Sequence, residues 1–498
     1  MVSRGSFGRM PGSCYAREKS AGICGFRCSG EISACGKRRE GDSVKIELPG
    51  KVREIIGRLQ SHGFEAYAVG GCVRDSLLGR EPGDWDITTS ARPAQVKALF
   101  ARTVDTGIQH GTVTVLIGHE GFEVTTYRVD GEYEDARHPK NVYFTDRLAE
   151  DLKRRDFTVN AMAYNDESGL VDLFDGEGDL KRGVIRCVGA PEERFGEDAL
   201  RMLRAVRFAA QLGFSIEENT ENAVRDLAGN LSRISAERIQ AELVKLIISP
   251  HPEEMREACR LGLTDVFLPE FSVMMETEQH SRHHCYTVGE HTIHALQLIR
   301  ADRVLRLTML FHDVAKPVCR TTDSRGLDHF RGHPAKGAEM ARRILRRLKF
   351  DNTTTDRVVR FVRYHDIRPE PEPEKIRRAA AQIGPDAYPE IFEIMRADIG
   401  AQSLYQREEK MAYVDEYEAV WRRIVEDGDC LSLKDLAVKG TDLIAWGMKP
   451  GRELGDVLQK MLSEVLSHPE RNRKEILEEH FRRGDYSGGR QGNALADC

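Results

Sequence analysis

The chain has 498 residues, a formal net charge of -6 at pH 7, 40% hydrophobic residues and 31% charged residues. This length exceeds what one hydrophobic core usually holds, so two to four domains are expected. No stretch approaches the roughly 18 consecutive apolar residues of a membrane-spanning helix, and the negative balance argues against a protein that coats nucleic acid over its whole surface. A local basic groove is still compatible with it.

The first residues, 1–45, predict a disordered extension. They are rich in Gly, Ser, Arg and Lys and contain Cys14, Cys24, Cys28 and Cys35 at irregular spacings. A wrongly chosen upstream start codon would explain the same composition, and a small zinc site is the alternative. The remaining cysteines form no disulfide framework, which favours a reduced, cytoplasmic setting.

The next segments alternate between helix and strand patterns. Residues 51–62 have the periodicity of a helix that Gly63 caps, and "EAYAVGG" indicates a short buried strand that enters a glycine turn. "REPGDWDITTS" predicts a turn and a second strand, and "GTVTVLIGHEGFEVTTYR" predicts a hairpin with Gly121 in its turn. Beyond "EERFGED" the helical period dominates almost to residue 480. We therefore predict an α+β protein, in which a small head with a mixed sheet precedes an elongated, all-helical remainder.

Two aspartates stand one residue apart in "GDWDI". Along a strand, Asp84 and Asp86 would point to the same face, roughly 7 Å apart at the backbone, and Trp85 would point into the core. Two parallel carboxylates repel each other unless a divalent cation lies between them, and such hard oxygen ligands suit Mg²⁺. Glu123 on a neighbouring strand could supply a third carboxylate. For the aspartate pair alone, a solvated strand face is the alternative.

The preceding "VGGCVRD" favours a phosphate site beside that metal. Gly70 and Gly71 allow close approach to the backbone, so that amides can hold a phosphate, and Arg74 follows on the next predicted helix. A glycine turn followed by two aspartates is the arrangement that a nucleoside triphosphate and its metal require.

These motifs and four later ones resemble a known family. "GGCVRD" with "GDWDI" is similar to the nucleotidyltransferase signature of the polymerase-β-like superfamily. "TYRVDGEYEDARHP", "AEDLKRRDFTVNAMAY", "VDLFDGEGDL" and "GEDALRMLRAVRFAAQLGF" follow in the order of its class II branch, with Ala149 in place of a glutamate. That branch contains bacterial CCA-adding tRNA nucleotidyltransferases, A-adding enzymes and poly(A) polymerases. The resemblance covers residues from about 45 to about 482.

The resemblance implies template-independent addition of CMP and AMP to the 3′ end of tRNA, from CTP and ATP with Mg²⁺. It implies that Asp84 and Asp86 hold the metal and that Glu123 completes the catalytic carboxylates. No covalent enzyme intermediate is required.

Two arginines follow in "LKRRDFTVN". A guanidinium presents a fixed fork of donors that suits triphosphate oxygens, whose charge exceeds what metal alone neutralises. The resemblance implies that Arg155 contacts the nucleotide beside Gly71 and Arg74, and that Asn160 shapes the pocket. A solvated helix start is the alternative for Arg154 and Arg155.

The segment "EDALRMLRAVRF" predicts the element that reads the base. Asp198 and Arg201 lie three residues apart on a predicted helix, so that an acceptor and a donor can together mimic a pairing partner for CTP or ATP. The resemblance assigns this reading role to them and nucleotide contacts to Arg204 and Arg207. A solvated basic stripe is the alternative. The positions between are expected to face the core: Leu200, Leu203, Val206 and Phe208.

Residues 283–400 contain a second ordered set: "HHCYTVGEHTIHAL", "LTMLFHDVAKP", "HFRGHPAKGAEMA", "FVRYHD" and "MRADIGAQ". An adjacent His-Asp pair, with a His 21 residues earlier on a predicted helix and an Asp far downstream, resembles the HD phosphohydrolase superfamily. The resemblance implies as metal ligands His291, His312, Asp313 and Asp398. His284, seven residues and thus two helical turns before His291, could be the first ligand instead, and His333 and His365 fit the additional histidines of two-metal members.

Imidazole nitrogens with carboxylates suit a transition metal such as Mn²⁺, Fe²⁺, Ni²⁺ or Co²⁺. Lys316 in "HDVAKP" could meet a phosphate. Some nucleotidyltransferases with this appended domain use it as a phosphatase or 2′,3′-cyclic phosphodiesterase, and others keep it as a helical scaffold. Retained ligands favour activity.

The predicted organisation has six segments. They are a disordered extension (1–45), the nucleotidyltransferase head (46–185), a helical neck with the base-reading helix (186–255), a helical body with the HD domain (256–425), a helical RNA-binding tail (426–484) and a disordered end (485–498). Basic residues of the C-terminal tail could touch the acceptor arm of tRNA, and a solvated surface is the alternative.

Three other functions stay open on sequence. An A-adding enzyme and a poly(A) polymerase share the fold, although "DGEYEDARHP" is similar to the flexible loop of the tRNA-directed enzymes. An alternative from another class is an HD metal phosphohydrolase whose head only binds RNA. The intact "DWD" argues against it.

Overall fold

The computed structural model of the protein describes residues 45–130 and 142–486. The cysteines of the N-terminal extension, nearly all of "DGEYEDARHP" and the last twelve residues lie outside these ranges, so the predictions for them stay predictions. Residues 45–486 belong to one compact unit of the chain. Within the described residues, no helix has the length and apolar character that crossing a membrane demands.

The N-terminal part mixes helices and strands, as predicted. Its helices and strands are α1 (Gly50–Ser61), β1 (Ala66–Val69), α2 (Gly71–Leu77), β2 (Ile87–Thr89), α3 (Pro93–Leu99), β3 (Thr103–Gly107), β4 (Thr112–Ile117), β5 (Glu120–Thr126), β6 (Arg128–Asp130), β7 (Val142–Phe144), α4 (Leu148–Lys153), β8 (Met162–Asn165), β9 (Gly169–Asp172) and α5 (Gly176–Arg182).

Seven of these strands form one mixed sheet in the order β3-β4-β5-β2-β1-β8-β9. Strand β1 lies between two antiparallel partners, and β2 runs parallel to β5. The strand β1 is buried on both faces, and Tyr67, Tyr127 and Leu152 pack together beside it. Helix α1 has its buried residues on one face, because apolar side chains recur at three- and four-residue spacing.

The hairpin β4–β5 is confirmed, but its turn is not at Gly121. Ile117 pairs with Glu120, so the turn is formed by Gly118 and His119, and Gly121 lies inside β5 opposite Leu116. Gly118 has a positive φ of 67°, which a tight two-residue turn requires and which glycine adopts without strain.

Beyond residue 183 the chain is almost entirely helical, as predicted. The elements are β10 (Val184–Ile185), α6 (Pro191–Glu197), α7 (Leu200–Leu212), β11 (Ser215–Ile216), α8 (Glu218–Leu227), α9 (Ala236–Ile247), α10 (Met255–Arg260), α11 (Leu263–Phe267), α12 (Pro269–Glu276), α13 (Val288–Leu298), α14 (Arg303–Phe311), α15 (Lys316–Cys319), β12 (Thr321–Thr322), β13 (Asp328–His329), α16 (His333–Arg347), α17 (Asn352–Tyr364), α18 (Pro373–Ile383), α19 (Tyr388–Ala401), α20 (Arg407–Glu426), α21 (Gly440–Ala445), α22 (Arg452–Ser467) and α23 (Lys474–Arg483).

Two packing arrangements position the candidate sites. Helix α7 packs against α9, and its four apolar residues that were predicted to face the core are all buried. In the body, α13 packs against α12, α14 and α19, while α17 packs against α14 and α16. The ends of these body helices therefore meet in one region.

Candidate nucleotide site and histidine cluster

The glycine turn lies where β1 ends. Gly70 has φ 82° and precedes α2, and its amide donates to the backbone oxygen of Met162. A Cβ atom at Gly70 would lie 2.9 Å from a guanidinium nitrogen of Arg155. Glycine is therefore needed here for the backbone conformation and for the close approach of that arginine. The turn and the arginine are adjacent, as the sequence predicted.

Asp84 and Asp86 are not part of a strand, which corrects the sequence prediction. Strand β2 begins only at Ile87. Its partner β1 ends at Val69, and the glycine turn that follows directs the chain away from the sheet, so β1 does not continue alongside Asp84. Among the described residues, the Val69 amide donates to the Asp86 backbone oxygen at 3.0 Å, and the Cys72 thiol donates to the same oxygen at 3.9 Å. Both aspartates are exposed, and Trp85 is half-buried rather than in the core.

Glu123 lies on the strand next to this segment, as predicted. Strand β5 pairs with β2 so that Val124 faces Ile87, which places Glu123 level with Asp86. Both carboxylates line a cavity of about 160 Å³, together with Thr112, Arg154 and Arg155.

Charge crowding is evident at this cavity. The Asp86 side chain is exposed at the surface, but the protein around the cavity desolvates its carboxylate and raises its pKa; Arg155 opposes the shift and Asp84 adds to it. Desolvation also raises the pKa of Glu123, with Asp86 and Asp84 contributing repulsion. Hard oxygen donors that repel one another in this way fit a divalent cation such as Mg²⁺. In the described part of the chain, the three carboxylates do not all come within 4.8 Å of one another.

The two arginines follow the end of α4 rather than starting a helix. Arg154 lies 2.8 Å and Arg155 3.5 Å from the fully buried carboxylate of Asp151, to which Thr88 also donates. Burial alone would raise the pKa of Asp151, but Arg154 and Arg155 hold it below its ordinary value. Sequence reasoning assigned no role to Asp151. Its position four residues before Arg155, on the same helical turn, was the available signal.

A second carboxylate that the sequence prediction missed is Asp156. Arg204 donates to it through two nitrogens at 2.6 and 2.9 Å, and the amide of Asn160 donates to it at 3.2 Å. Arg74 in turn donates to the Asn160 side-chain oxygen at 2.6 Å. Burial opposes ionisation of Asp156, yet Arg204 lowers its pKa below the ordinary range. One network thus joins three predicted nucleotide-binding residues, and Gly71 begins the helix that carries Arg74.

The predicted base-reading pair is arranged differently from the expectation. Asp198 lies in extended backbone between α6 and α7, not on a helix with Arg201. Asp198 forms an ion pair with Arg238 at 2.6 Å, whereas Arg201 pairs with Glu197 and donates to the Arg154 backbone oxygen. The Asp198 side chain accepts a hydrogen bond from the Leu200 amide at the start of α7. This bond is typical of a residue that precedes a helix and satisfies one of its first amides.

Arg207 is buried. Its guanidinium lies 2.7 Å from Glu242 and 3.6 Å above the Phe208 ring, and its side chain is 6% exposed. In this structure Arg207 therefore connects α7 to α9, and its predicted nucleotide contact stays a prediction.

The body brings together the whole second set of predicted residues. Each comes from a helix or from the residues directly after one: His291 (α13), His312 and Asp313 (after α14), His333 (α16), His365 (after α17) and Asp398 (α19). We call these six residues the histidine cluster.

The cluster consists of two overlapping triplets that share Asp313, one with His291 and His312 and one with His333 and His365. Within each triplet the ligand atoms lie within 4.8 Å of one another. His291 Nε2 also lies 3.0 Å from an oxygen of Asp398. A carboxylate between two pairs of imidazoles is an arrangement that can bridge two metal ions.

Backbone carbonyls orient the imidazoles. The Nδ1 atoms of His312, His333 and His365 lie 2.7–2.8 Å from the carbonyl oxygen three residues earlier. His291 Nδ1 lies 3.3 Å from the Ala401 oxygen. When Nδ1–H donates to a carbonyl, the Nε2 lone pair is left to face the cluster, which is the usual outer-shell arrangement of metal-binding histidines.

The ionisation states of Asp313 and His365 also suit a metal. Burial alone would lower the pKa of His312, but Asp313 and Asp398 raise it, so metal binding at His312 would release a proton. Burial would raise the pKa of Asp313, but His312 and Lys316 hold it well below its ordinary value. Burial lowers the pKa of His365 to about 3, with His312 and His333 contributing. An ionised carboxylate and a neutral imidazole are the forms that bind transition metals.

His284 is not two helical turns before His291, which corrects the prediction. Helix α13 begins only at Val288, where the Thr287 side chain accepts from the Glu290 amide and caps the helix. The ring of His284 still lies 5.4 Å from that of His291, and its buried Nδ1 has no hydrogen-bond partner among the described residues. His284 thus stays a candidate ligand.

Comparisons with known proteins agree with the head and the helical remainder. Family models match residues 66–186 ("Poly A polymerase head domain"), 213–275 ("Probable RNA and SrmB- binding site of polymerase A") and 335–481 ("tRNA nucleotidyltransferase domain 2 putative"). The fold and the carboxylate site therefore define a nucleotidyltransferase.

The relatives narrow this class. A CCA-adding enzyme of Lactobacillus helveticus is 38% identical over 437 residues, which cover 86% of this chain and 96% of that protein. One of Limosilactobacillus fermentum is 38% identical over 433 residues, or 85% and 95%. The crystal structure of the Bacillus stearothermophilus CCA-adding enzyme in complex with CTP is 30% identical, with a TM-score of 0.65 and coverage of 88% and 100%. The chain belongs to the CCA-adding enzyme family, which confirms the resemblance of its nucleotidyltransferase motifs.

Proposed function

We propose that the protein adds CMP and AMP to the 3′ end of tRNA without a nucleic-acid template. The observation that carries this proposal is the cavity in which Asp86 and Glu123 face Arg155 beside the Gly70 turn. Carboxylates for a divalent cation and donors for a triphosphate then lie on the two sides of one small space. We also propose a cytoplasmic location, where CTP, ATP and tRNA are at hand.

In this proposal Asp84, Asp86 and Glu123 hold Mg²⁺. Bound there, Mg²⁺ supplies positive charge for activating the primer hydroxyl and for the departing pyrophosphate. Arg155 binds triphosphate oxygens, and its buried Nε, which has no hydrogen-bond partner among the described residues, is available for this. Asp151 keeps Arg155 in place, and the Arg74–Asn160–Asp156 network keeps Arg204 aligned.

In this proposal, base selection requires that two ion pairs present in the structure break. Asp198 and Arg201 each have a protein partner, Arg238 and Glu197, so binding of CTP or ATP would exchange these partners for the base edge. Breaking these ion pairs costs free energy, which the hydrogen bonds to the base edge would have to offset. Basic residues of the tail, 426–484, would contact the acceptor arm and make binding salt-dependent.

The test uses tRNA transcripts that end before CCA, after C and after CC, each offered radiolabelled CTP or ATP. The proposal expects CMP on the first two and AMP only on the third. AMP addition with no CMP addition would mark an A-adding enzyme, and long A tracts on unrelated RNA would mark a poly(A) polymerase.

We propose a second activity for the body, namely metal-dependent hydrolysis of phosphate esters. The histidine cluster supports it, because Nε2 atoms and carboxylates converge in a buried site that suits Mn²⁺, Fe²⁺, Ni²⁺ or Co²⁺. The residues of the histidine cluster would hold such a metal, which would lower the pKa of a water molecule and so help it to attack a phosphate ester at neutral pH. Water would add to the phosphorus of a 2′,3′-cyclic phosphate and the P–O3′ bond would break, leaving a 2′-phosphate and a free 3′ hydroxyl. This product is chemically consistent with tail synthesis, because only a free 3′ hydroxyl can be extended.

This activity is tested by incubating the protein with Mn²⁺ or Ni²⁺ and bis-p-nitrophenyl phosphate. The proposal expects product release that His312→Ala abolishes. Release equal to that of His312→Ala would leave the body as a scaffold.

A further inference from the structure

Two cations lie beside the histidine cluster without taking part in it. Lys410, in the first turn of α20, donates to the side-chain oxygen of Gln402 at 2.7 Å and lies 3.0 Å from Nδ1 of His283. Arg407 donates to the backbone oxygen of Gln402. We call His283, Gln402, Arg407 and Lys410 the cation rim.

Within the cation rim, the Gln402 side chain links Lys410 to Asp398, a candidate metal ligand. Gln402 donates through Nε2 to Asp398 at 3.2 Å while its oxygen accepts from Lys410. The two segments that form the rim are joined as well, since Ser403 donates through its amide to the His283 oxygen and through its hydroxyl to the Arg282 oxygen. The rim is therefore a built feature next to the cluster rather than a chance meeting of surface side chains.

The two cations of the rim form no ion pair with the described residues. Within residues 45–130 and 142–486, no carboxylate lies within the 4.0 Å ion-pair distance of Lys410 or Arg407. The Nε atom of Arg407 is buried and has no hydrogen-bond partner among these residues. Lys316 provides the contrast, since it lies 2.7 Å from Asp313 and is 5% exposed. Burial lowers the pKa of Lys410, with Asp398 opposing the shift. Partly desolvated cations held by neutral atoms gain most from an anionic ligand.

An aromatic surface adjoins the cation rim. Tyr405 is 41% exposed and packs edge-on against His283, with ring centroids 5.1 Å apart. Leu404 beside it is 81% exposed. An exposed aromatic face next to unpaired cations is the combination that holds a base and its phosphate in single-stranded nucleic-acid sites.

We propose that Lys410 and Arg407 bind the phosphate, and Tyr405 the base, of a nucleotide at this rim. The ligand is a nucleoside phosphate presented to the histidine cluster, such as the last nucleotide of an RNA. Lys410 is a binding and positioning residue here and not a metal ligand. The inference rests on the proposed body activity for its biological meaning, but binding at the rim can be measured without hydrolysis.

The experiment measures calorimetric affinity of the full chain, loaded with Mn²⁺, for inorganic phosphate and for 3′-AMP. The variants are Lys410→Gln, Lys410→Arg and Tyr405→Ala, with the exposed Lys449→Gln as the control. Lys410→Gln should weaken phosphate binding about ten- to a hundredfold, and Lys410→Arg should regain most of it. Tyr405→Ala should weaken 3′-AMP about tenfold and leave phosphate unchanged. Manganese content and CTP binding should not change in any variant.

The outcomes separate this inference from the proposed hydrolysis. Equal phosphate affinity in the wild type and Lys410→Gln, no phosphate binding by the wild type, or loss of manganese in Lys410→Gln would each overturn the rim. Lys410-dependent binding without hydrolysis of bis-p-nitrophenyl phosphate by any metal form would retain the rim and remove the hydrolase. Hydrolysis together with Lys410-independent binding would do the reverse.

Discussion

The candidate metal-binding carboxylates of the head and of the body differ in their exposure and in how the fold holds them. In the head, Asp84 and Asp86 lie in an exposed segment outside any strand, secured at the Asp86 backbone oxygen by hydrogen bonds from Val69 and Cys72. In the body, Asp313 and Asp398 are buried, and the histidines beside them are oriented by backbone carbonyls. The head site is thus open to an ion that arrives with a triphosphate, and the body site is pre-organised for a resident ion.

The electrostatics differ in the same sense. Desolvation at the cavity and repulsion by neighbouring carboxylates raise the pKa values of Asp86 and Glu123. In the body, burial would raise the pKa values of Asp313 and Asp398, but neighbouring histidines, and Lys316 for Asp313, hold them well below the ordinary value. The head accumulates negative charge that an ion must relieve, and the body balances its charge internally. Four variants test this contrast.

The largest effect is expected from Asp86→Asn. The change keeps the shape of the side chain but removes half of the aspartate pair, so CMP incorporation should fall by about a thousandfold or more. Single-turnover transfer from labelled CTP measures it. Asp166→Asn, at a surface ion pair with Arg53, is the matched control and should keep full activity. Incorporation within tenfold of the wild type would remove Asp86 from catalysis.

The variant His312→Ala tests metal binding by the histidine cluster of the body. This change removes an imidazole shared by the contacts of His291 and Asp313, so Mn²⁺ affinity should drop about a hundredfold while CMP incorporation stays within twofold. Elemental analysis after dialysis gives the metal content, and His119→Ala in the β4–β5 turn is the control. Unchanged manganese content would mean that the cluster is a packing feature.

A moderate effect is expected from Gly70→Ala. Gly70 and Gly63 have nearly equal φ values, 82° and 84°, but only at Gly70 would a Cβ meet the Arg155 guanidinium. Both glycines have a positive φ, but ψ is -127° at Gly70, so Gly70→Ala also carries backbone strain of its own. Urea unfolding of both variants separates this strain from the effect of the displaced arginine. We expect the KM for CTP to rise about tenfold in Gly70→Ala relative to Gly63→Ala. Equal KM values in the two variants would contradict this role.

The smallest effect concerns stability. The pKa of Asp156 is lowered by Arg204, so this pair stabilises the fold above the unfolded carboxyl pKa near 4 and the contribution is lost as the pH falls through the lower folded value. Asp156→Asn should therefore lower the free energy of unfolding by about 1 kcal/mol at pH 7, because Arg204 is about a third exposed. The deficit should shrink below about pH 4. Urea unfolding at several pH values measures it, and a pH-independent deficit would argue for a packing cause.

The sequence predicted the type and order of the elements well, because periodicity and turn residues are local signals. It also predicted which residues gather, as Glu123 beside Asp86 and the histidine cluster show. The sequence-based predictions were wrong where contacts between distant segments determine the local structure. The extent of β2 depends on where β1 ends. Asp198 precedes α7 instead of lying on a helix with Arg201, and their ion-pair partners, Arg238 and Glu197, were not predicted. Asp151 and Asp156 were missed because buried carboxylates that hold arginines have no spacing rule of their own.

The central claim is that Asp86 holds the divalent cation that drives nucleotide transfer. The most direct test is Asp86→Cys, because a thiolate favours a soft ion over Mg²⁺. The rate of the first CMP addition is compared in Mg²⁺ and in Cd²⁺ for variant and wild type. We predict that Cd²⁺ raises the rate of the variant at least tenfold over its Mg²⁺ rate, and that the wild type gains nothing. A Cd²⁺-to-Mg²⁺ rate ratio equal to that of the wild type would contradict the claim.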